Sequence, residues 1–231
     1  MWKTSALGLT VLIVVPLGAG ALEVKNPRSA YGPFGATRTD NKFLPGDVLF
    51  IHYDIEGLAV NDKGKVNYYS ELEFFDAKGT SISRKKNETI SLMPDLGGKT
   101  FPGVLNAVMG EDQKPGKYKV KLKVVDLNAK KTAELEYPFE LLPKGFGAIR
   151  VSSPGFGVPG GDYYVQMVLV ELPLDAKKMP NVDLTMTVLE EGGKTPLSKP
   201  VVINYPKQLP DDANLQKQNL VPVVIPLYLF V

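Results

Sequence analysis

The sequence feature that most constrains this chain is a long-period internal repeat. Three pairs of segments correspond: residues 45–51 with 159–165, residues 71–76 with 185–190, and residues 20–24 with 147–151. The repeat units of solenoids measure only roughly 20–50 residues, so a spacing this long predicts two copies of one globular domain. The repeat therefore describes architecture, and it names no substrate or ligand.

Glycine and proline punctuate both copies. The chain has 22 Gly and 19 Pro among 231 residues, and they cluster between short apolar runs. This pattern is typical of many strands joined by turns. The best helical candidate is residues 211–219, which is two turns at most. The sequence predicts an all-β protein.

The N-terminus has the layout of a secretory signal peptide. Lys3 gives the positive start, residues 6–17 are apolar, and Ala19-Gly20-Ala21 is a cleavage site. The apolar run is shorter than the roughly 18 residues that span a bilayer, and a retained signal anchor is the alternative. We expect residues 1–21 to be removed, no transmembrane segment to remain, and the product to be periplasmic, extracellular or at the cell surface.

Charge and cysteine content exclude several classes of function. With 27 basic and 25 acidic residues, the chain is nearly neutral and offers no electrostatic case for nucleic acid. It contains no cysteine, which excludes disulfides, thiolate metal sites and a cysteine nucleophile. Each domain must be held by its own apolar core.

Apolar and polar residues alternate along the predicted strands, which assigns one face of each strand to the core. The predicted core residues are Leu49, Ile51, Tyr53 and Ile55, then Tyr68, Leu72 and Phe74, and in the second copy Val182, Leu184, Met186 and Val188.

The clearest hairpin spans residues 118–141, with a turn at residues 127–130. Matching the apolar faces pairs Val124 with Ala133 and Leu122 with Leu135, which places Lys123 opposite Glu134 and Lys121 opposite Glu136. We interpret the lysine ladder as a solvated sheet face. A polyanion-binding surface is the alternative.

Residues 115–122, Asp126, residues 131–135 and residues 139–141 resemble the last two strands of bacterial immunoglobulin-like or fibronectin-III-like domains. Exported bacterial proteins with two such domains in tandem are similar over most of the chain. The resemblance implies two immunoglobulin-like β-sandwiches, residues 22–142 and 148–231, joined by a linker at residues 143–147. It also implies a spacer, an adhesion module, or an accessory that binds carbohydrate or a protein partner.

The second copy is shorter than the first, because no counterpart of residues 110–142 follows residues 220–231. We therefore expect it to lack the last two strands and to have an exposed sheet edge. Three explanations are open. The reading frame is cut short by a gene-model or sequencing error, which we favour; a partner strand completes the edge; or residues 196–205 close a smaller sandwich.

The only metal-ligand candidates are His52, Asp54 and Glu56, which share one strand face, with Glu71 and Glu73 expected on the next strand. Neighbours on one face lie roughly 6.5–7 Å apart, which is too far for one small ion without further help. In the repeat, we expect Met167 and Leu169 to replace His52 and Asp54. We therefore favour a solvated polar face and predict no metal or other cofactor.

No catalytic residues can be assigned. The chain has one His, no Cys and no Gly-x-Ser-x-Gly motif, and no carboxylate pair stands out. We predict a non-catalytic structural or binding module, with another protein or a cell-surface polysaccharide as partner. The alternative is a carbohydrate- or cation-dependent binder that uses residues 31–43 or the His52 face. Five aromatic residues expected at the surface would serve carbohydrate binding: Tyr31, Phe34, Phe43, Tyr69 and Phe75.

Overall fold

The computed structural model describes residues 20–94, 98–158, 160–176, 181–190, 193–205 and 220–228. All regular secondary structure within these residues is β-strand, which confirms the all-β prediction. The strands are β1 (Glu23–Ala30), β2 (Lys42–Phe43), β3 (Val48–Glu56), β4 (Val66–Phe75), β5 (Ser81–Lys86), β6 (Ile90–Leu92), β7 (Thr100–Val108), β8 (Gly116–Asp126), β9 (Lys131–Leu141), β10 (Gly147–Ser152), β11 (Asp162–Val170), β12 (Val182–Met186), β13 (Val201–Tyr205) and β14 (Leu220–Tyr228).

Three predictions fall on other parts of the chain. The signal segment at residues 1–19, the helical candidate at residues 211–219 and the end of the last apolar run at residues 229–231 lie outside the described residues. Among the residues that are described, no helix is long and apolar enough to cross a membrane.

The first group of strands forms two sheets around one apolar core. One sheet has the order β1-β3-β7, and the other has the order β2-β9-β8-β4-β5 with β6 beside β4. All pairs are antiparallel except β2 with β9. The predicted alternation on β3 is confirmed, because Leu49, Ile51 and Ile55 are fully buried in this core.

The predicted hairpin register is also confirmed. Val124 lies opposite Ala133 and Leu122 opposite Leu135, while Lys123 faces Glu134 and Lys121 faces Glu136. Two of the ion pairs form along the diagonal, from Lys121 to Glu134 at 2.7 Å and from Lys119 to Glu136 at 2.9 Å. A hydrogen bond to Glu134 raises the pKa of Lys121.

The second group of strands has its own core. A three-stranded sheet has the order β10-β11-β14, and β12 pairs with β13. Leu169, Val182 and Val223 are buried between them. The predicted inward phase of β12 is confirmed, since Val182, Leu184 and Met186 all belong to this cluster.

The backbone repeats as well as the strand order. The order β1-β3-β7 recurs as β10-β11-β14. Left-handed residues recur at one constant spacing: Gly46 and Gly160 (φ 83° and 75°), Gly57 and Glu171 (77° and 50°), Gly79 and Gly193 (77° and 71°). The first strand of each group has a register shift, with Asn26 (φ 52°) and Arg150 (φ 53°) inside it.

This spacing corrects one detail of the sequence alignment. Gln166 and Val168, not Met167 and Leu169, occupy the places of His52 and Asp54, since Arg28 pairs with His52 as Ser152 pairs with Gln166. The extra glycine in Pro159-Gly160-Gly161 shifted the alignment by one residue. A shift of one residue moves every side chain to the opposite face of a strand.

Candidate functional site

The three metal candidates on β3 lie on one outward face, but each one contacts a different group. His52 Nε2 lies 3.3 Å from the carbonyl oxygen of Gly32. Asp54 accepts a hydrogen bond from Asn26 at 2.9 Å, and Glu56 accepts one from Lys25 at 2.8 Å. Hydrogen bonds to Glu23 and Glu56 raise the pKa of Lys25. All three side chains therefore contact β1 or the loop that follows it, and they do not converge on one point.

The expectation that Glu71 and Glu73 lie beside His52 is wrong. The neighbours of β3 are β1 and β7, whereas β4 belongs to the other sheet. Glu71 contacts Arg84 at 3.3 Å, and Glu73 accepts a hydrogen bond from Ser81 at 2.7 Å. Within the described ranges, no group of three or more His, Cys, Asp or Glu side chains is arranged to hold a metal ion.

The aromatic residues expected at the surface include one that is buried and others that are partly or largely exposed. Phe43 is fully buried, so its assignment to an exposed platform is wrong. It contacts Phe139 edge-on, with ring centroids 5.9 Å apart. Tyr69 and Phe75 lie on the outer face of β4, where Lys86 and Lys119 approach their rings. Phe34 is 76% exposed.

A buried carboxylate joins the two groups of strands. Asp47, which is 3% exposed, lies just before β3. Its Oδ1 accepts hydrogen bonds from the backbone N–H groups of Val48 and Arg150, both at 2.8 Å. Arg150 also donates from Nε to the carbonyl oxygen of Gly46 at 3.0 Å. Arg150 is the left-handed residue in the register shift of β10, so the shift turns its N–H towards Asp47.

The second oxygen of Asp47 is held by Arg38. Nη1 of Arg38 lies 3.0 Å from Oδ2, and Nη2 donates to the carbonyl oxygen of Lys42 at 2.8 Å. The guanidinium lies between aromatic rings, 4.3 Å from the centroid of Phe43 and 4.9 Å from that of Tyr31. Such cation–π contacts stabilise a desolvated arginine. We call Arg38, Asp47 and Arg150 the Asp47 bracket.

A cleft of about 270 Å³ opens beside this bracket, with residues of both groups of strands in its walls. Its apolar lining comes from Leu44, Ile149, Val168 and Val170, and its charged lining from Glu111, Lys144, Arg150 and Glu171. Its volume is close to the lower end of small-molecule pockets, roughly 300–1,000 Å³. It has room for a small ligand and presents charges of both signs.

Two exposed phenylalanines lie on neighbouring loops near this joint. The Phe34 loop (residues 31–36) follows β1, and the Phe156 loop (residues 153–158) follows β10. Phe156 is 79% exposed, and a Cβ on Gly155 would lie 2.7 Å from that of Phe34, so the loops are in contact. Large exposed apolar groups placed together often mark a binding surface. We call Phe34 and Phe156 the Phe pair.

Sequence reasoning missed the bracket, and of the Phe pair it named Phe34, whose expected exposure is confirmed, but not Phe156. The bond between Asp47 and Arg150 depends on a register shift that no local sequence pattern reveals. The Phe pair did leave a signal, since Phe34-Gly35 and Phe156-Gly157 occupy the same place after the first strand of each copy.

Comparisons with known proteins do not assign a family. No family model matches the chain, and no curated protein matches it significantly. Partial structural similarity is found to a family 123 glycoside hydrolase from Clostridium perfringens (16% identity, TM-score 0.34, 45% of this chain and 23% of that one). A DNA glycosylase from Pseudomonas fluorescens, bound to DNA, is similar over 53% of this chain and 31% of that one, with 15% identity and a TM-score of 0.35. A β-glucuronidase from Bacteroides uniformis is similar over 42% of this chain and 12% of that one, with 16% identity and a TM-score of 0.31. This chain spans less than a third of each of these proteins, and the similarities are too low to carry an argument.

Proposed function

We propose that this protein is a non-catalytic exported module in which two tandem immunoglobulin-like sandwich units, residues 22–142 and 148–231, act as a structural or binding element of the cell envelope or extracellular space. The recurrence of one strand order, with left-handed residues at a constant spacing, supports two related units. The Asp47 bracket is the observation that carries the proposal, because a buried carboxylate that bonds to residues of both groups of strands supports a structural role.

Cell fractionation tests the exported location. The full chain, produced in a bacterial host with a C-terminal tag, should be recovered outside the cytoplasm with an N-terminus near Leu22 or Glu23. Substituting Lys3 and the small residues of the cleavage site should leave a longer, cell-associated product. Recovery of the uncleaved chain in the cytoplasm contradicts the proposal. So does turnover of a substrate that a single carboxylate substitution abolishes without unfolding the protein.

Carbohydrate binding by the Phe pair is a second candidate function. Two aromatic rings, 76% and 79% exposed, come from equivalent loops and offer flat apolar faces. Such faces can stack on the apolar faces of sugar rings, and a cell-surface polysaccharide would supply many of them.

Glycan arrays and calorimetry, each with and without divalent ions, test this candidate. Phe34→Ser and Phe156→Ser should each weaken binding, by up to roughly tenfold, because an aromatic contact contributes about 0.5–1.5 kcal/mol beyond the area it buries. Phe146→Ser is the matched control, because Phe146 is also exposed (55%) but lies on the linker. The absence of any glycan signal, or equal loss in all three variants, eliminates this function.

A further inference from the structure

The cleft beside the Asp47 bracket lies on the outer face of the β10–β11 pair. Ile149 lies opposite Val168 in the register, and Val170 follows two residues later on the same face. Leu169, on the other face of β11, belongs to the core of the second unit. Ile149, Val168 and Val170 therefore point away from that core, and all three line the cleft.

Residues of the first unit form the facing wall of the cleft. A Cβ on Gly46 would lie 3.2 Å from Cδ1 of Ile149 and 3.6 Å from Cγ of Glu111. A Cβ on Gly147 would lie 2.5 Å from Cδ1 of Leu44. The walls are thus in close contact around an apolar space, where burying hydrocarbon is favourable.

The charged residues of the cleft differ in the partners that they have. Lys144 lies 3.2 Å from Asp112. Nε of Arg150 donates to the carbonyl oxygen of Gly46, which fixes the guanidinium. Within the part of the chain that the structure describes, the Nη atoms of Arg150 and the carboxylate of Glu171 have no hydrogen bond or ion pair. One cation and one anion at the cleft are therefore available to a ligand.

Arg150 and Glu171 also have a backbone conformation that favours glycine. Their φ angles are 53° and 50°, and among the described non-glycine residues only Asn26 and Lys130 share a positive φ. In the first unit Gly57 takes the place of Glu171. Backbone strain of this kind clusters at sites of function. A glutamate where glycine would be less strained is explained by a role for its carboxylate in the cleft.

We propose that the cleft binds a small zwitterion, an amino acid with an apolar side chain. The Nη atoms of Arg150 bind the carboxylate of the ligand, and Glu171 accepts hydrogen bonds from its ammonium group. The wall formed by Ile149, Val168 and Val170 covers its side chain. A guanidinium matches both oxygens of a carboxylate. Because Nε of Arg150 is already fixed, binding costs this side chain little further freedom.

The size of the cleft agrees with this class of ligand. Its volume of about 270 Å³ corresponds to roughly nine water molecules at about 30 Å³ each. Leucine has about as many non-hydrogen atoms, whereas a disaccharide has more than twice as many. The Phe pair does not line the cleft, so this proposal is independent of carbohydrate binding there.

Isothermal titration calorimetry of the full chain with L-leucine tests the proposal. We expect one leucine to bind per chain. Leucine amide lacks the carboxylate, and isocaproate lacks the amine. Each should bind at least roughly tenfold more weakly than leucine, because each loses hydrogen bonds between charged groups.

Two glycine variants assign the charged groups. Glycine suits the positive φ at both positions, and Arg150→Gly keeps the backbone N–H that bonds to Asp47. Arg150→Gly should weaken leucine binding at least roughly tenfold and should bind leucine and leucine amide equally. Glu171→Gly should lose as much and should bind leucine and isocaproate equally. Lys130→Gly is the matched control, because Lys130 is basic, has φ 56° and does not line the cleft.

Three results overturn the proposal. They are no binding at roughly 10 mM leucine, well above a Kd of about 1 mM; equal binding of leucine and its two derivatives; and leucine binding that neither variant of the cleft weakens. If Arg150→Gly does not fold, Glu171→Gly still decides, because Glu171 is not part of the Asp47 bracket. None of these results bears on the N-terminus or the location of the chain, so the proposed function is tested separately.

Discussion

At the scale of single residues, the two groups of strands fill equivalent positions of their cores in different ways. Tyr53 lies opposite Gly103 where β3 pairs with β7, and Met167 lies opposite Val223 where β11 pairs with β14. A large ring beside a glycine thus corresponds to two side chains of intermediate size. Cores tolerate changes that conserve total volume and resist those that do not.

Gly103→Ala should therefore destabilise the protein by about 1–3 kcal/mol, because the new Cβ would overlap the ring of buried Tyr53. Adding Tyr53→Met should recover part of the loss, since methionine adapts its shape. Denaturant unfolding measures both effects. Gly145→Ala is the control, as its Cβ would meet nothing closer than 3.9 Å. Equal destabilisation by the two glycine substitutions would refute the packing argument.

The buried phenol of Tyr53 predicts a loss of stability in alkali. Burial raises its pKa from 10.0 to about 12, with a smaller contribution from Tyr68. A group whose neutral form is favoured by folding stabilises the protein fully below the unfolded pKa, and this stabilisation is lost as pH rises from about 10 to 12. The loss approaches roughly 2–3 kcal/mol.

Tyr53→Phe should reduce the fall in the free energy of unfolding between about pH 9 and 12, a range that includes the pKa of Tyr53 in the unfolded and in the folded chain. Burial also raises the pKa of Tyr68. The double variant with Tyr68→Phe should therefore be flatter still. An unchanged slope in the single variant would show that the phenol of Tyr53 is not the cause.

At the scale of strands and turns, Asp126 organises the end of the β8–β9 hairpin. It is fully buried and accepts hydrogen bonds from the N–H groups of Ala59, Asn128 and Ala129 at 2.8, 2.8 and 3.1 Å. The turn side chain of Asn128 adds bonds to the carbonyl oxygens of Ala59 and Lys65. The hairpin is therefore fastened to the loop between β3 and β4.

Asp126→Ala should cost about 3 kcal/mol, because it leaves three N–H groups of half-buried residues without their acceptor. Asp76→Ala provides a matched control. Asp76 also accepts two backbone hydrogen bonds in a turn, from Lys78 and Thr80, but it is half-exposed, so water can replace them. Chemical denaturation should separate the two variants by at least about 1 kcal/mol, and similar losses would argue against this role for burial.

Local patterns predicted these elements well where side chains alternate and a turn fixes the register. The β8–β9 hairpin has both properties, and its residue pairs were predicted correctly. The residue-by-residue alignment of β11 with β3 was not predicted correctly. One added glycine permits two alignments, and only the pairing of the strands in each sheet distinguishes them. The site on Asp47 depends on contacts across about a hundred residues of sequence, as its 2.8 Å bond to Arg150 shows, and no local pattern contains them.

At the scale of the whole molecule, the Asp47 bracket connects the two groups of strands. Its carboxylate contacts both Arg38 and the N–H of Arg150, so removing it leaves a nearly buried guanidinium and an N–H without their partner. Breaking a buried ion pair from one side costs about 3–5 kcal/mol. The cleft adjoins this joint, because Gly46 and Arg150 belong to its lining.

Asp47→Ala should therefore broaden the distance distribution between the units, measured by electron-electron double resonance. The chain has no cysteine, so spin labels can be placed on Lys85→Cys and Lys199→Cys, two exposed positions in different units.

Asp47→Asn is the second variant. It retains the oxygen that accepts a hydrogen bond from Arg150 but loses the negative charge that faces Arg38, so its distance distribution should be narrower than that of the alanine variant. Because the asparagine variant keeps the shape of the site, it remains informative if the alanine variant unfolds. Distributions as narrow as that of the unsubstituted protein in both variants would mean that the short linker, and not the carboxylate, fixes the two units.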